Sequence, residues 1–173
     1  SIIDMKETIA SYACPEFHMM VAASSEMADY YQLPFYGTCG CSDVRTFDQQ
    51  AAGEISFQIL STLLSKANII HDMGLHDHCV NICPAAVVWA NDKINGLKSY
   101  LKGVQGEVDL DLIRDVGPAG NYLSEDNTLD RFREEVWYPE IETRRRVTTE
   151  ESEIYGRIVA RIDTILAENP GSK

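Results

Sequence analysis

Three short clusters in this chain combine carboxylates, imidazoles and thiols. They are Asp4; Cys39-Gly40-Cys41-Ser42-Asp43; and His71-Asp72-Met73-Gly74, followed by His76, Asp77 and His78. A carboxylate or an imidazole can anchor a polar substrate or move a proton. Asp43 and His71 are therefore candidate catalytic residues, and Asp4 and Glu16 are candidate substrate-binding groups. Phe35, Tyr36 and Phe47 flank the second cluster, where an aromatic cage for a quaternary ammonium group can form; Tyr36 and Phe47 are assigned to substrate binding. The plainer reading of each carboxylate is a cap on a neighbouring helix or loop, which would turn Asp43 toward backbone amides.

His71, His76, His78, Cys79 and Cys83 lie within reach of zinc ligation. The plainer reading is a loop that carries histidines by chance, and no metal ligand is assigned. Cys39-Gly40-Cys41 has one intervening residue where a redox or metal pair has two, so it reads as small residues filling a tight turn.

Elements must place these clusters together. Ser1 to Met5 reads as the end of a strand, and a helix runs from Cys14 to Tyr31 with Pro15 in its first turn. Its inward stripe is Phe17, Met20, Val21, Ser24, Ala28 and Tyr31. Phe35 to Cys39 is a second strand. Asp48 caps a helix that runs to Lys66 and buries Ala52, Ile55, Ile59 and Leu63, with Phe57, Leu60 and Leu64 beside them. Ala67 to His71 is a third strand. Strands alternating with helices predict parallel βαβ units, and in such architectures reactive groups gather at the carboxyl ends of the strands. Asp4, Asp43 and His71 would then face one shared cavity, with Glu16 near its rim.

Beyond Pro84 the pattern is helical. One stripe is Val87, Ala90, Ile94, Leu97 and Leu101. Asp109 caps a short helix with Leu112, Ile113 and Val116 inside, and Asn127 or Thr128 opens another carrying Leu129, Phe132 and Val136. Thr148-Thr149-Glu150-Glu151 resembles a capping box before a face of Ile154, Ile158, Ile162 and Ile165. Residues 1–83 thus form a βαβαβ segment, and 84–173 a helical segment of the same domain.

Three parallel strands alone leave sheet faces uncovered. The chain also begins in mid-strand without an initiating Met. It reads as the carboxy-terminal piece of a larger protein, or as one whose open edge pairs with another copy.

Composition narrows the classes. With 45% apolar and 24% charged residues in 173, the chain is globular, not disordered. A net charge of -12, with Arg144-Arg145-Arg146 as the one basic run, argues against nucleic acid. No apolar run reaches the length of a membrane span. Five cysteines in no zinc-ribbon or disulfide spacing point to a reduced, cytoplasmic chain.

Several segments are familiar. Asp4-Met5-Lys6 with Cys14-Pro15-Glu16 resembles an Asp-Met-Lys/Arg segment followed by Gly-Ser-Pro-Glu. Gly37 to Asp43 resembles a small-residue loop ending in Gly-x-Ser/Thr-Asp, and Ala67-Asn68-Ile69-Ile70-His71 resembles Ala-Asn-Leu/Ile-Ile-His. Ile113-Arg114-Asp115-Val116-Gly117-Pro118-Ala119-Gly120-Asn121-Tyr122-Leu123, continued by Thr128-Leu129-Asp130-Arg131-Phe132-Arg133-Glu134-Glu135, is the most specific stretch. Together, over residues 1 to 165 and in order, these resemble the carboxy-terminal third of the trimethylamine methyltransferase family.

That resemblance implies the last strands and helical tail of a (β/α)8 TIM barrel. It implies methyl transfer from trimethylamine or a related methylated amine to the Co(I) of a corrinoid (cobalamin) carried by a partner protein, with no cofactor bound directly by this chain. One branch of the family carries a pyrrolysine upstream of this region; the other lacks it and demethylates glycine betaine or other betaines. Cys14 stands where the family has Ser, and His76 to Pro84 departs from its Gly-rich stretch, so both donors remain open. Homo-oligomeric assembly is expected. The reading of a different class is a non-enzymatic metal-binding or oligomeric interaction protein.

Overall fold

Two helix starts are decided by single residues. Pro15 lacks the amide that a first helical turn leaves unpaired, and it opens α1 (Pro15–Tyr30). The Asp48 carboxylate accepts hydrogen bonds from the Gln50 and Ala51 amides and opens α2 (Gln49–Ser65), which closes on Lys66 in the left-handed conformation. These are the boundaries that the sequence leads one to expect. The computed structural model describes residues 2–144, 146 and 153–171.

The strands depart from expectation. The amino-terminal segment does not join a parallel trio. Instead β1 (Ile2–Asp4) turns back on β2 (Ile9–Ser11) as an antiparallel pair, with Ile2 opposite Ser11 and Asp4 opposite Ile9. The turn explains why. The Asp4 carboxylate accepts from the Lys6 amide at 2.8 Å and the Glu7 amide at 3.2 Å. An aspartate that bonds its own following backbone makes a tight turn, not a continuing strand. Thr8, at φ +61°, completes the reversal.

The other two expected strands do pair in parallel. β3 (Tyr36–Thr38) runs beside β4 (Ile69–His71), Tyr36 opposite Ile69 and Thr38 opposite His71, and α2 is the crossover. A further antiparallel pair, β5 (Leu75–His76) and β6 (Asn81–Ile82), follows directly. The chain is mixed helix and sheet, and each sheet has two strands among the described residues.

α3 (Pro84–Leu101) is the centre of the packing: α2 lies on one side of it and α6 (Ile154–Glu168) on another. The core joins Ile55 and Ile59 of α2, Ala86, Trp89 and Ala90 of α3, Ile141 and Ile158, with Cys39 at the strand end. Asp92 is buried on α3, where its carboxylate accepts from the amides of Glu140, Ile141 and Glu142. That cap holds the bend carrying Ile141 against the core. Ile158 and Ile162 face inward on α6 as expected. The capping box at 148–151 lies outside the described residues.

α4 (Leu110–Val116), capped by Asp109 as its sequence predicts, and α5 (Asp126–Glu135) bury no residue. Ile113 and Leu129, expected inside, are exposed. No helix of the described residues is long and apolar enough to cross a membrane.

Candidate functional site

Beyond the carboxyl ends of β3 and β4 the two segments stay together. The Cys39 amide donates to the His71 carbonyl at 3.1 Å, Gly74 to Gly40 at 2.8 Å, Ser42 to Leu75 at 2.9 Å and Asp77 to Val44 at 3.0 Å. This close approach depends on glycine. Gly40 (φ +79°) and Gly74 (φ +84°) occupy conformations that other residues rarely adopt. A Cβ on Gly40 would lie 2.2 Å from the Met73 sulfur, and one on Gly74 would lie 2.4 Å from Val87.

Polar side chains lock the first of these loops from below. Gln58, fully buried on α2, accepts from the Cys41 amide at 3.0 Å and donates to the Cys41 carbonyl at 2.6 Å. Glu54, one turn earlier, accepts from the Ser42 hydroxyl at 2.5 Å, the Asp43 amide at 3.1 Å and the Gln50 side chain at 2.7 Å. Cys39 and Cys41 are buried in the same turn. Burial pushes the Cys39 thiol up to about 11 and the Cys41 thiol higher still, so neither is a thiolate at neutral pH.

The Asp43 carboxylate is held by the β2–α1 corner. It accepts from the Ser11 hydroxyl, from the Tyr12 amide at 2.8 Å and from the Ala13 amide at 3.3 Å. His78 lies on its other side, with Nδ1 3.4 Å from Asp43 and 2.9 Å from the Ala10 carbonyl oxygen. Both neighbours are acceptors, so Nδ1 carries the proton. Asp43 therefore ties together the β2–α1 corner and the β5–β6 turn.

His71 sits at the carboxyl end of β4. Its Nδ1 is 2.8 Å from the Asp72 carboxylate and its Nε2 is 3.3 Å from the Thr38 hydroxyl across the parallel pair. The carboxylate fixes the proton on Nδ1, which leaves Nε2 to accept from Thr38. The ring stacks on Tyr36, with centroids 4.2 Å apart and planes 25° apart. Tyr36 is 60% exposed, with His71 against one face of its ring.

The family model for trimethylamine methyltransferase matches residues 1–167. The chain belongs to the trimethylamine methyltransferase family. A trimethylamine methyltransferase of Desulfitobacterium hafniense is 31% identical, over 77% of this chain and 27% of its own length. A glycine betaine methyltransferase of the same species is 26% identical, over 96% of this chain and 36% of its own. A trimethylamine methyltransferase of Methanosarcina barkeri is 30% identical, over 79% and 27%. The chain thus spans roughly a third or less of the length of these relatives.

Within this family member the candidate residues fall in separate places. Tyr36 and His71 come together in a direct stack. Asp43 meets His78, not His71. Asp4 is exposed and engaged in its own turn, and Glu16 is exposed in the first turn of α1. Phe47 leaves the proposed cage: it packs 5.6 Å from Trp89 and 6.4 Å from His76 as part of the core. Among the described residues no three His, Cys, Asp or Glu side chains gather as a metal-binding group. His76 is fully buried instead.

Asp72, Thr38, Glu54 and Gln58 were not among the candidates. Gln58 and Glu54 carried a signal, each directly preceding an isoleucine of the inward face of α2, Ile59 and Ile55. Asp72 stood in the third cluster beside His71, and Thr38 carried no signal, because its contact with His71 depends on the register between β3 and β4.

Proposed function

We propose that this chain forms the carboxy-terminal part of a corrinoid-dependent methyltransferase, built as the last strands of a (β/α)8 barrel with a helical tail. The donor is trimethylamine or a related methylated amine. The acceptor is the Co(I) of a corrinoid carried by a partner protein. The methyl group leaves nitrogen, which keeps the electron pair of the broken C–N bond, and the reduced acceptor supplies the pair for the new bond. This chain's own residues have to bind the cationic donor and aim its methyl group outward.

The observation that carries the reading is His71 at the carboxyl end of β4, stacked on Tyr36 of the neighbouring parallel strand, in a chain that matches the family over nearly its whole length. An aromatic face and a carboxylate-backed imidazole suit a cation. His71 and Tyr36 are the groups assigned to the donor. Asp43 acts through the loop that it ties down. Glycine betaine is the second donor to consider, because the match to the glycine betaine methyltransferase runs over 96% of this chain. Homo-oligomeric assembly of the whole protein is part of this reading.

The test is methylation of the Co(I) corrinoid partner by the full-length protein that carries this segment, with trimethylamine and glycine betaine offered separately. One of the two donors is expected to support turnover, and His71→Ala should slow it at least about tenfold, equivalent to about 1.4 kcal/mol of barrier. The 173-residue chain alone should give none. Turnover with neither donor, or an unaffected His71→Ala rate, would overturn the assignment.

A further inference from the structure

Asp72 has no part in the reaction as outlined, yet it is the residue that most constrains the pair assigned to the donor. It holds a left-handed conformation at φ +70°, which costs a non-glycine residue energy and persists only where surrounding contacts compensate. That conformation sets its carboxylate 2.8 Å from His71 Nδ1. Thr38 meets the opposite nitrogen at 3.3 Å. A ring held at both nitrogens cannot turn about its axis, and here it lies flat against one face of Tyr36. Both polar atoms of the imidazole are thereby engaged, and its remaining use is as a backing surface.

The order of groups is then a carboxylate, an imidazole that donates to it, and the phenol ring of a largely exposed tyrosine. An imidazole that donates to a carboxylate gains electron density. A ring with negative charge behind it offers a stronger face to a cation in front. Resting on the reading above, we propose that Asp72 is a positioning residue that holds His71 as a backing plate for Tyr36, and that the outer face of Tyr36 is the platform for a methylated ammonium group.

Choline and 3,3-dimethylbutan-1-ol have the same shape and differ in charge, so equilibrium binding of each to the full-length protein separates a cation platform from an apolar patch. Choline is expected to bind more tightly than its neutral counterpart. Asp72→Asn and Asp72→Gly both suit a left-handed backbone, so the fold and thermal midpoint should be kept while choline affinity falls about three- to fivefold. The neutral alcohol should be unaffected. Tyr36→Leu should abolish the preference for charge and Tyr36→Phe should keep it. With the methylated donor, Asp72→Asn should raise KM and leave kcat near normal. Equal binding of the two probes, or undiminished choline binding in both Asp72 variants, would overturn the proposal even if methyl transfer proceeds. A charge preference that depends on Asp72 in a protein that transfers no methyl group would leave the platform standing and overturn the reaction.

Discussion

At the scale of single residues, Asp43 and the buried histidines make opposite demands on charge. The Asp43 carboxylate is mostly buried and accepts from a hydroxyl and two amides, with an imidazole beside it. Asp43→Asn replaces an oxygen by an NH2 that would face those donors. Hydrogen bonds to a charged acceptor contribute about 1.5–3 kcal/mol, and the variant should lose stability in that range in urea unfolding with an unchanged slope. His18 and His76 behave differently. His18 Nε2 and both nitrogens of His76 are buried and have no hydrogen-bond partner among the described residues. Burial holds both imidazoles below the ordinary histidine range, with nearby carboxylates opposing the shift only in part. The folded state then binds fewer protons than the unfolded state between the lowered value and about pH 6.5. Stability should be full above that pH and decline as pH falls below it. Unfolding midpoints measured from pH 8 to 5 test this, and replacing His76 with a neutral side chain of similar size should flatten the decline.

At the scale of elements, Gly40 is the most exacting position. Gly40→Ala combines a positive φ with a Cβ pressed against Met73, and a strained left-handed residue costs on the order of 1–3 kcal/mol. The thermal midpoint should fall by about 2–4 °C for each kcal/mol in a chain of this size. Both long amino-terminal helices were legible in the sequence because their starts rest on one residue each, Pro15 and Asp48. The buried face of α1 was less legible. Phe17 and Val21 face inward as expected, but Met20 and Tyr31 are exposed and His18 and Ser25 are buried. The contact with α2 explains the rotation: His18 lies edge-on to Phe57 at 5.4 Å, and Ser25 donates to the Ser65 carbonyl at 2.7 Å. A stripe drawn from apolar residues cannot anticipate a helix interface made by an imidazole and a hydroxyl. The β1–β2 and β5–β6 hairpins were missed for another reason. Their turns use Thr8, Asp77, His78 and Cys79 at positive φ, where glycine would have announced a reversal. The Tyr36–His71 stack was half legible. Both residues were singled out, but their contact depends on a strand register that sequence spacing does not contain.

At the scale of the whole molecule, apolar groups are distributed unevenly. The helical core is closed, while Ile3, Ile9, Tyr36, Ile69 and Ile70 on the small sheets are exposed, and two-stranded pairs gain little stability by themselves. What keeps β3 and β4 in place is the run of hydrogen bonds that continues past their ends, from Cys39 with His71 to Asp77 with Val44. That run has a consequence for motion. Amides joined in one ladder are released by one opening event, so Cys39, Ser42, Gly74 and Asp77 should exchange their hydrogens for deuterium at a common rate, although the two stretches lie far apart in the chain. Loosening either stretch should speed all four together. Between pH 8 and 5 the same amides should therefore report, as a group, the protonation of His76, which is built into the second stretch. The two loops are one mechanical part, and the histidine stacked on Tyr36 is hinged to it.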